Sequence, residues 1–161
     1  MRGFGAERSA RHVTAAMVAL IGAGLFFVLL AGDLPGRESG EWDDLPTRLV
    51  VRYIVTMALG SAAAGWLLAG LFGRRGVGGW VLALAGAVAT TMVAGLLGSA
   101  MGLLPDLLRD GLQSADIIPI LFGLAVLPLA FVGNPLLLAG WLVLIALTHV
   151  WARQARAAVK G

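Results

Sequence analysis

The chain has 161 residues, enough for one domain, and is 59% hydrophobic with 13% charged side chains and a mean hydropathy of +0.90, well below the roughly 25% charge of ordinary soluble proteins. It contains no cysteine, which excludes disulfides, thiolate metal sites and cysteine nucleophiles. The formal net charge of +3 comes from short basic clusters between long uncharged runs, a pattern that reads as membrane topology and not as a nucleic-acid surface.

Arg2, Arg8 and Arg11 precede an uncharged run from Val13 to Ala31. That run exceeds the apolar core of a secretory signal, roughly 7–15 residues, and Leu29-Leu30-Ala31 is a poor cleavage site. A retained first span is therefore expected over 13–32. Residues 32–48 follow with five acids, Asp33, Glu38, Glu41, Asp43 and Asp44, among Gly and Pro turn residues. They lack the ligand spacing of a calcium loop, so a solvated loop or a contact for a basic partner is expected there, and no metal.

A second span is expected over 49–73, with Arg52 and Tyr53 at interfacial depth. Within it Ser61, Gly65, Ala69 and Gly73 recur every fourth residue, on one helix face open to close approach by another backbone. The turn Gly73–Val77 is short. It leads into Gly78–Leu104, 27 residues without a charge, which at about 1.5 Å per residue is long enough to cross a bilayer core. This third span, 78–104, carries Gly79, Ala83, Ala87, Thr91, Gly95 and Ser99 in one row, and Gly86, Thr90, Ala94, Gly98 and Gly102 in a second. It is expected to pack centrally, pairing with the second helix through the Gly79–Ser99 row.

Pro105 is expected to end that span. Leu104, Leu107, Leu108 and Leu112 then fall opposite Asp106, Arg109, Asp110 and Gln113, predicting a short amphipathic interfacial helix over 103–113. The last apolar block, Ile117–Val150, has 34 residues, too many for one span of a core about 30 Å thick. Pro119, Pro128, Gly133, Asn134 and Pro135 break it. The choices are two spans, or a broken piece over 117–135 followed by one span near 132–151. Four spans put eight basic residues on the side of the termini and four on the other; five spans split them five against seven. The positive-inside rule therefore favours an all-α integral membrane protein of four transmembrane helices, with five as the alternative and both termini cytoplasmic.

No acid or base lies at mid-membrane depth, which argues against a proton-coupled carrier acting alone. His12 and His149 sit near the same membrane face, where a pair on separate helices could ligate a haem iron; a polar-tipped ring at a span end is the simpler reading. Broken helices such as the one around Gly133-Asn134-Pro135 expose backbone polar groups at membrane depth and can form transporter sites. No phosphate loop, nucleophile elbow, metal motif or nucleic-acid signature occurs. The chain is thus expected to be non-catalytic and without a cofactor, an accessory, scaffold or assembly subunit of a larger complex in a bacterial inner membrane. Its small-residue faces exceed what a four-helix bundle can use internally, and the surplus is expected to meet other subunits or a second copy. A small-solute transporter or channel using the 119–135 break is the alternative, and a haem-binding electron carrier a third.

Overall fold

The computed structural model describes residues 2–33 and 47–158, and these are helical apart from short connections. The elements are α1 (Arg2–Asp33), α2 (Thr47–Leu67), a 3-10 turn (Ala69–Leu71), α3 (Val77–Asp110), α4 (Ser114–Gly133) and α5 (Pro135–Ala158). Four of the helices, α1, α2, α3 and α5, contain stretches long and apolar enough to cross a membrane. Most of the acidic 32–48 segment, with Glu38, Glu41, Asp43 and Asp44, lies outside the described residues.

α1 and α2 pack antiparallel. Thr14 and Val18 meet Gly65, Gly22 meets Ser61, and Phe26 lies 6.2 Å from Tyr53, ring centre to ring centre. The Ser61–Gly65 face therefore serves α1, and not α3 as its spacing had suggested. What α2 offers α3 is Gly60, where an added Cβ would stand 2.6 Å from the Gly98 nitrogen, together with Met57 against Gly98 and Tyr53 against Gly102. On α3 the receiving face is the Gly86–Gly102 row, not the Gly79–Ser99 row.

The Gly79–Ser99 row has other neighbours. Thr91 accepts a 3.1 Å hydrogen bond from the Trp141 indole of α5, and Gly95 and Ser99 touch Gly123 of α4. Ala83 and Ala87 join Ile21, Leu25, Phe72, Leu137, Trp141 and Ile145 in the core shared by α1, α3 and α5. Every residue of both rows is buried except Ser99, which is half-buried. Small faces that appeared too many for one bundle are thus closed within the chain.

Three sequence expectations are corrected by local chemistry. First, α3 continues through Pro105 to Asp110, so 103–113 is the end of a long helix and not a separate amphipathic one. A proline inside a helix removes the hydrogen bond to the carbonyl four residues before it, here Met101, and crowds that turn. The Arg52 guanidinium, reaching across from α2, donates to the neighbouring Gly102 carbonyl, so a tertiary bond braces the turn that the proline weakens. Gly111, at φ +76°, ends the helix instead, its N–H donating to Leu107 O, the left-handed closure for which glycine is preferred. Second, α4 passes through Pro119 and Pro128 without interruption. Third, the break is confined to Asn134, extended at φ −138° and ψ 92°. Its Oδ1 accepts from the Leu137 N–H at 3.1 Å, capping α5, and Pro135 occupies the first helical position, where its missing N–H costs nothing.

α4 does not traverse the bundle as the others do. It follows directly from the end of α3, lays Gly123 on Gly95 and Ser99, and hands over at Asn134, which borders the same space as Gly98, Ser99 and Tyr53. α5 then runs to the opposite end, where His149 meets Gly73 and Arg156 donates to Ala69 O at 3.1 Å. Arg11 of α1 lies there too, 5.1 Å over the Trp66 ring. The beginning of α1, the Arg74-Arg75 turn and the end of α5 therefore share one end of the molecule.

The buried Trp141–Thr91 bond ties α5 to the central helix. A double-mutant cycle of Trp141→Phe and Thr91→Val, read as thermal unfolding in detergent, is expected to give a coupling of about 0.6–1 kcal/mol. A coupling of zero would mean that the bond contributes nothing.

Candidate functional site

The apolar side chains of α4 and the break after it do not close completely on the rest of the bundle. They leave a chamber of about 680 Å³ bordered by all five helices: Phe26 and Leu29 of α1, Tyr53 and Met57 of α2, Gly98, Ser99 and Leu103 of α3, Pro119, Phe122, Gly123, Val126 and Ala130 of α4, and Leu137 of α5, with Asn134 at the hinge. Its size falls in the range of small-molecule pockets, about 300–1,000 Å³, and its character matches them, mainly apolar with a few polar groups.

Those polar groups are the Tyr53 hydroxyl, the Ser99 hydroxyl and the Asn134 carboxamide. The Asn134 oxygen is committed to the α5 cap. Its NH2 group and the two hydroxyls make no hydrogen bond with other described residues. Residues with unused donors on the border of an apolar chamber can fix the polar end of a guest, while Phe26, Phe122, Val126 and Met57 line its apolar part.

Of the residues named from the helix break, Pro119 and Asn134 border the chamber, whereas Pro128, Gly133 and Pro135 do not. From the small-residue rows of α3, Ser99 and Gly98 do so. The remainder act in packing: Ser61 and Gly65 on α1, Gly79 beneath the Arg74 carbonyl, Gly73 against Ala152, and Ala69 through its carbonyl to Arg156. Phe26, Tyr53, Met57 and Phe122 were not singled out as a group by sequence. Tyr53, the sole tyrosine of the chain, carried a signal but was read as an interfacial anchor.

The two histidines are not brought into one site. His12 is exposed, its Nδ1 2.7 Å from Arg8 O on its own helix. His149 is buried; its Nδ1 accepts from the Gly73 N–H at 3.2 Å, and its ring lies 4.4 Å from Trp80, centre to centre. Its Nε2 is buried without a hydrogen-bond partner. That arrangement fastens the end of α5 to the 73–76 turn. Among the described residues no three His, Asp or Glu side chains gather into a metal-binding group.

The Asn134 cap can be separated from the Asn134 donor. Asn134→Ala should lower stability by about 1 kcal/mol through loss of the cap, whereas Asn134→Ser, which keeps an acceptor, should retain most of it. Thermal unfolding of the two variants checks this; equal losses would place the role of Asn134 elsewhere than at the cap. Comparison with protein-family models, curated proteins and solved structures found no match for this chain, so its function is argued from the chamber itself.

Proposed function

We propose that this chain is a four-span membrane protein, non-catalytic, that holds a small apolar molecule with a weakly polar end in the chamber between its helices. The lipid environment is supported by the outer surface, where Leu20, Leu67, Val77, Leu108, Val132 and Leu136 are each at least 65% exposed; water would penalise so much uncovered apolar area. The even number of crossings is supported by the beginning of α1 and the end of α5 lying at the same end of the bundle as the Arg74-Arg75 turn. By the positive-inside rule that end faces the cytoplasm, which in a bacterium makes this an inner-membrane protein.

The single observation that carries the binding role is the chamber, bordered by three residues, Tyr53, Ser99 and Asn134, whose donors are unused by other described residues. The observation favours a binding role, akin to the transporter alternative, over the accessory-subunit reading. One support of the latter was small-residue faces left open for a partner, and both rows of α3 are covered by α1, α2, α4 and α5 and the turn after α2. A guest reaching the chamber from the bilayer would leave its shell of lipid tails for a lined pocket, gaining directed hydrogen bonds that lipid tails do not offer. α4 is suited to admit it. It carries two prolines, and a single extended residue, Asn134, joins it to α5, so it can tilt about that joint without unwinding its neighbour.

Filling the chamber tests the reading. Monoolein has one acyl chain, hydroxyls and no charge. The expected result is one monoolein retained per chain in native mass spectrometry, lost in Ala130→Phe, whose ring would occupy the chamber, and kept in Leu84→Phe on the exposed face of α3. Undiminished retention by Ala130→Phe, in protein that unfolds at the wild-type temperature, would contradict the proposal.

A further inference from the structure

The opposite end of the molecule carries a second, chemically different recess. Between the turn after α2 and the end of α5 lies a cavity of about 290 Å³ bordered by Gly73, Arg74, Arg75, Arg153, Arg156 and Ala157. Two chain segments some eighty residues apart therefore deliver four guanidinium groups to one small space.

The fold holds the two segments together independently of those charges. Gly73, at φ +71°, lies so close to α5 that an added Cβ would stand 2.8 Å from both the Ala152 carbonyl carbon and the Arg153 nitrogen. Its N–H donates to the buried His149 ring. Backbone carbonyls then orient two of the arginines. Arg74 Nε donates to Gly70 O at 2.9 Å, and an Arg156 terminal nitrogen donates to Ala69 O at 3.1 Å. Arg156 Nε is buried with no partner.

No described acid neutralises the group. The ion pairs among the described residues are Arg11–Glu7, Arg52–Asp106 and Arg109–Asp110, and none involves these four arginines. Glu7 is the acidic neighbour that Arg156 feels, beside the like charge of Arg74, but Glu7 is engaged with Arg11 at 3.6 Å. The negative carboxyl ends of α2 and α5 favour a cation each; they do not account for four cations around one cavity. Arginines fixed at backbone carbonyls, with their remaining N–H donors unused, match the bidentate demand of a phosphate group.

We infer that Arg74, Arg75, Arg153 and Arg156 form a binding site for a phosphate-bearing anion. At the basic end of a membrane bundle the nearest source is the headgroup of an anionic phospholipid, for which basic recesses between helices on the cytoplasmic side are suited; a soluble phosphate ester offers the same chemistry. The site is independent of the apolar chamber, which lies in the other half of the bundle.

The test uses Arg75→Gln with Arg153→Gln, because these two make no hydrogen bond or ion pair with other described residues and their loss should leave the fold intact. The control is Arg109→Gln at the opposite end. Native mass spectrometry of the full chain, released from nanodiscs holding phosphatidylglycerol and phosphatidylcholine with identical tails, should show wild type retaining one phosphatidylglycerol in preference. The double variant should retain it with affinity lower by about tenfold or more, the loss of one charge-assisted hydrogen bond, and Arg109→Gln should match wild type. A second arm adds glycerol phosphate to protein in neutral detergent. A rise in unfolding temperature in wild type but not in the double variant, without preference between the two lipids, supports the site with a soluble anion as its ligand. If wild type shows neither lipid preference nor stabilisation by glycerol phosphate, or if the folded double variant behaves as wild type in both arms, the inference is overturned.

Discussion

The structure depends on a helix with almost no side-chain bulk on two of its faces. α3 lets α2 approach until Gly60 lies against the backbone of Gly98, and it lets α4 approach until Gly123 lies against the backbone of Gly95. Between apolar helices in lipid there is little hydrophobic drive, because the surrounding tails are as apolar as leucine; attraction comes from contact density and a few hydrogen bonds. Backbone-to-backbone approach maximises the first. The Trp141–Thr91 bond and the reach of Arg52 to Gly102 supply the second. Neither could form if bulky side chains held α2 and α5 farther from α3.

The same constraint generates the chamber. Where Gly95 and Gly123 touch, α4 is pinned to α3. Beyond that point α4 carries Val126, Pro128 and Ala130 toward the joint at Asn134, and the space beside Gly98, Ser99 and Leu103 is left to Phe26, Tyr53 and Phe122 to border. A bulky residue at Ser99 would intrude on the chamber as well as on α4, whereas a bulky residue at Gly95 would meet α4 alone. Tight packing and an open pocket are therefore adjacent consequences of one small-residue face. At the far end the turn with Gly73 makes a similar close contact with α5, and what it gathers there is charge.

Much of the architecture was legible in the sequence, and the limits have physical causes. Uncharged runs announced the four long apolar helices because backbone groups in lipid must bond within the helix, leaving side-chain polarity as the signal. The two rows of small residues identified α3 as the packing centre. Which neighbour each row meets was not legible. The rows lie side by side on one helix, any small face accepts any backbone, and the choice depends on where α4 and α5 arrive. Pro105 was read as a stop because its rescue by Arg52 is a contact across 50 residues. Pro119 and Pro128 were read as breaks from their residue type alone, and α4 passes through both, whereas Asn134-Pro135 combined a capping side chain with a residue suited to the first turn and did mark a real joint. The chamber was only half visible: Pro119 and Asn134 belonged to a named break, but Phe26, Met57 and Phe122 resemble every other apolar residue in a chain that is 59% hydrophobic.

The central claim is that both small faces of α3 are closed by helices of the same chain. The most direct test is a leucine scan along α3 from Gly79 to Gly102, reading the unfolding temperature of each variant in mild detergent. Two bands of sensitivity are predicted, one at Gly86, Ala94 and Gly98 facing α2 and the turn that follows it, the other at Ala87, Thr91 and Gly95 facing α1, α4 and α5. Near-neutral substitutions are predicted at the exposed positions Val81, Ala85 and Val88. Sensitivity confined to one band, with leucine tolerated throughout the other, would show that the second face is open and would contradict the account.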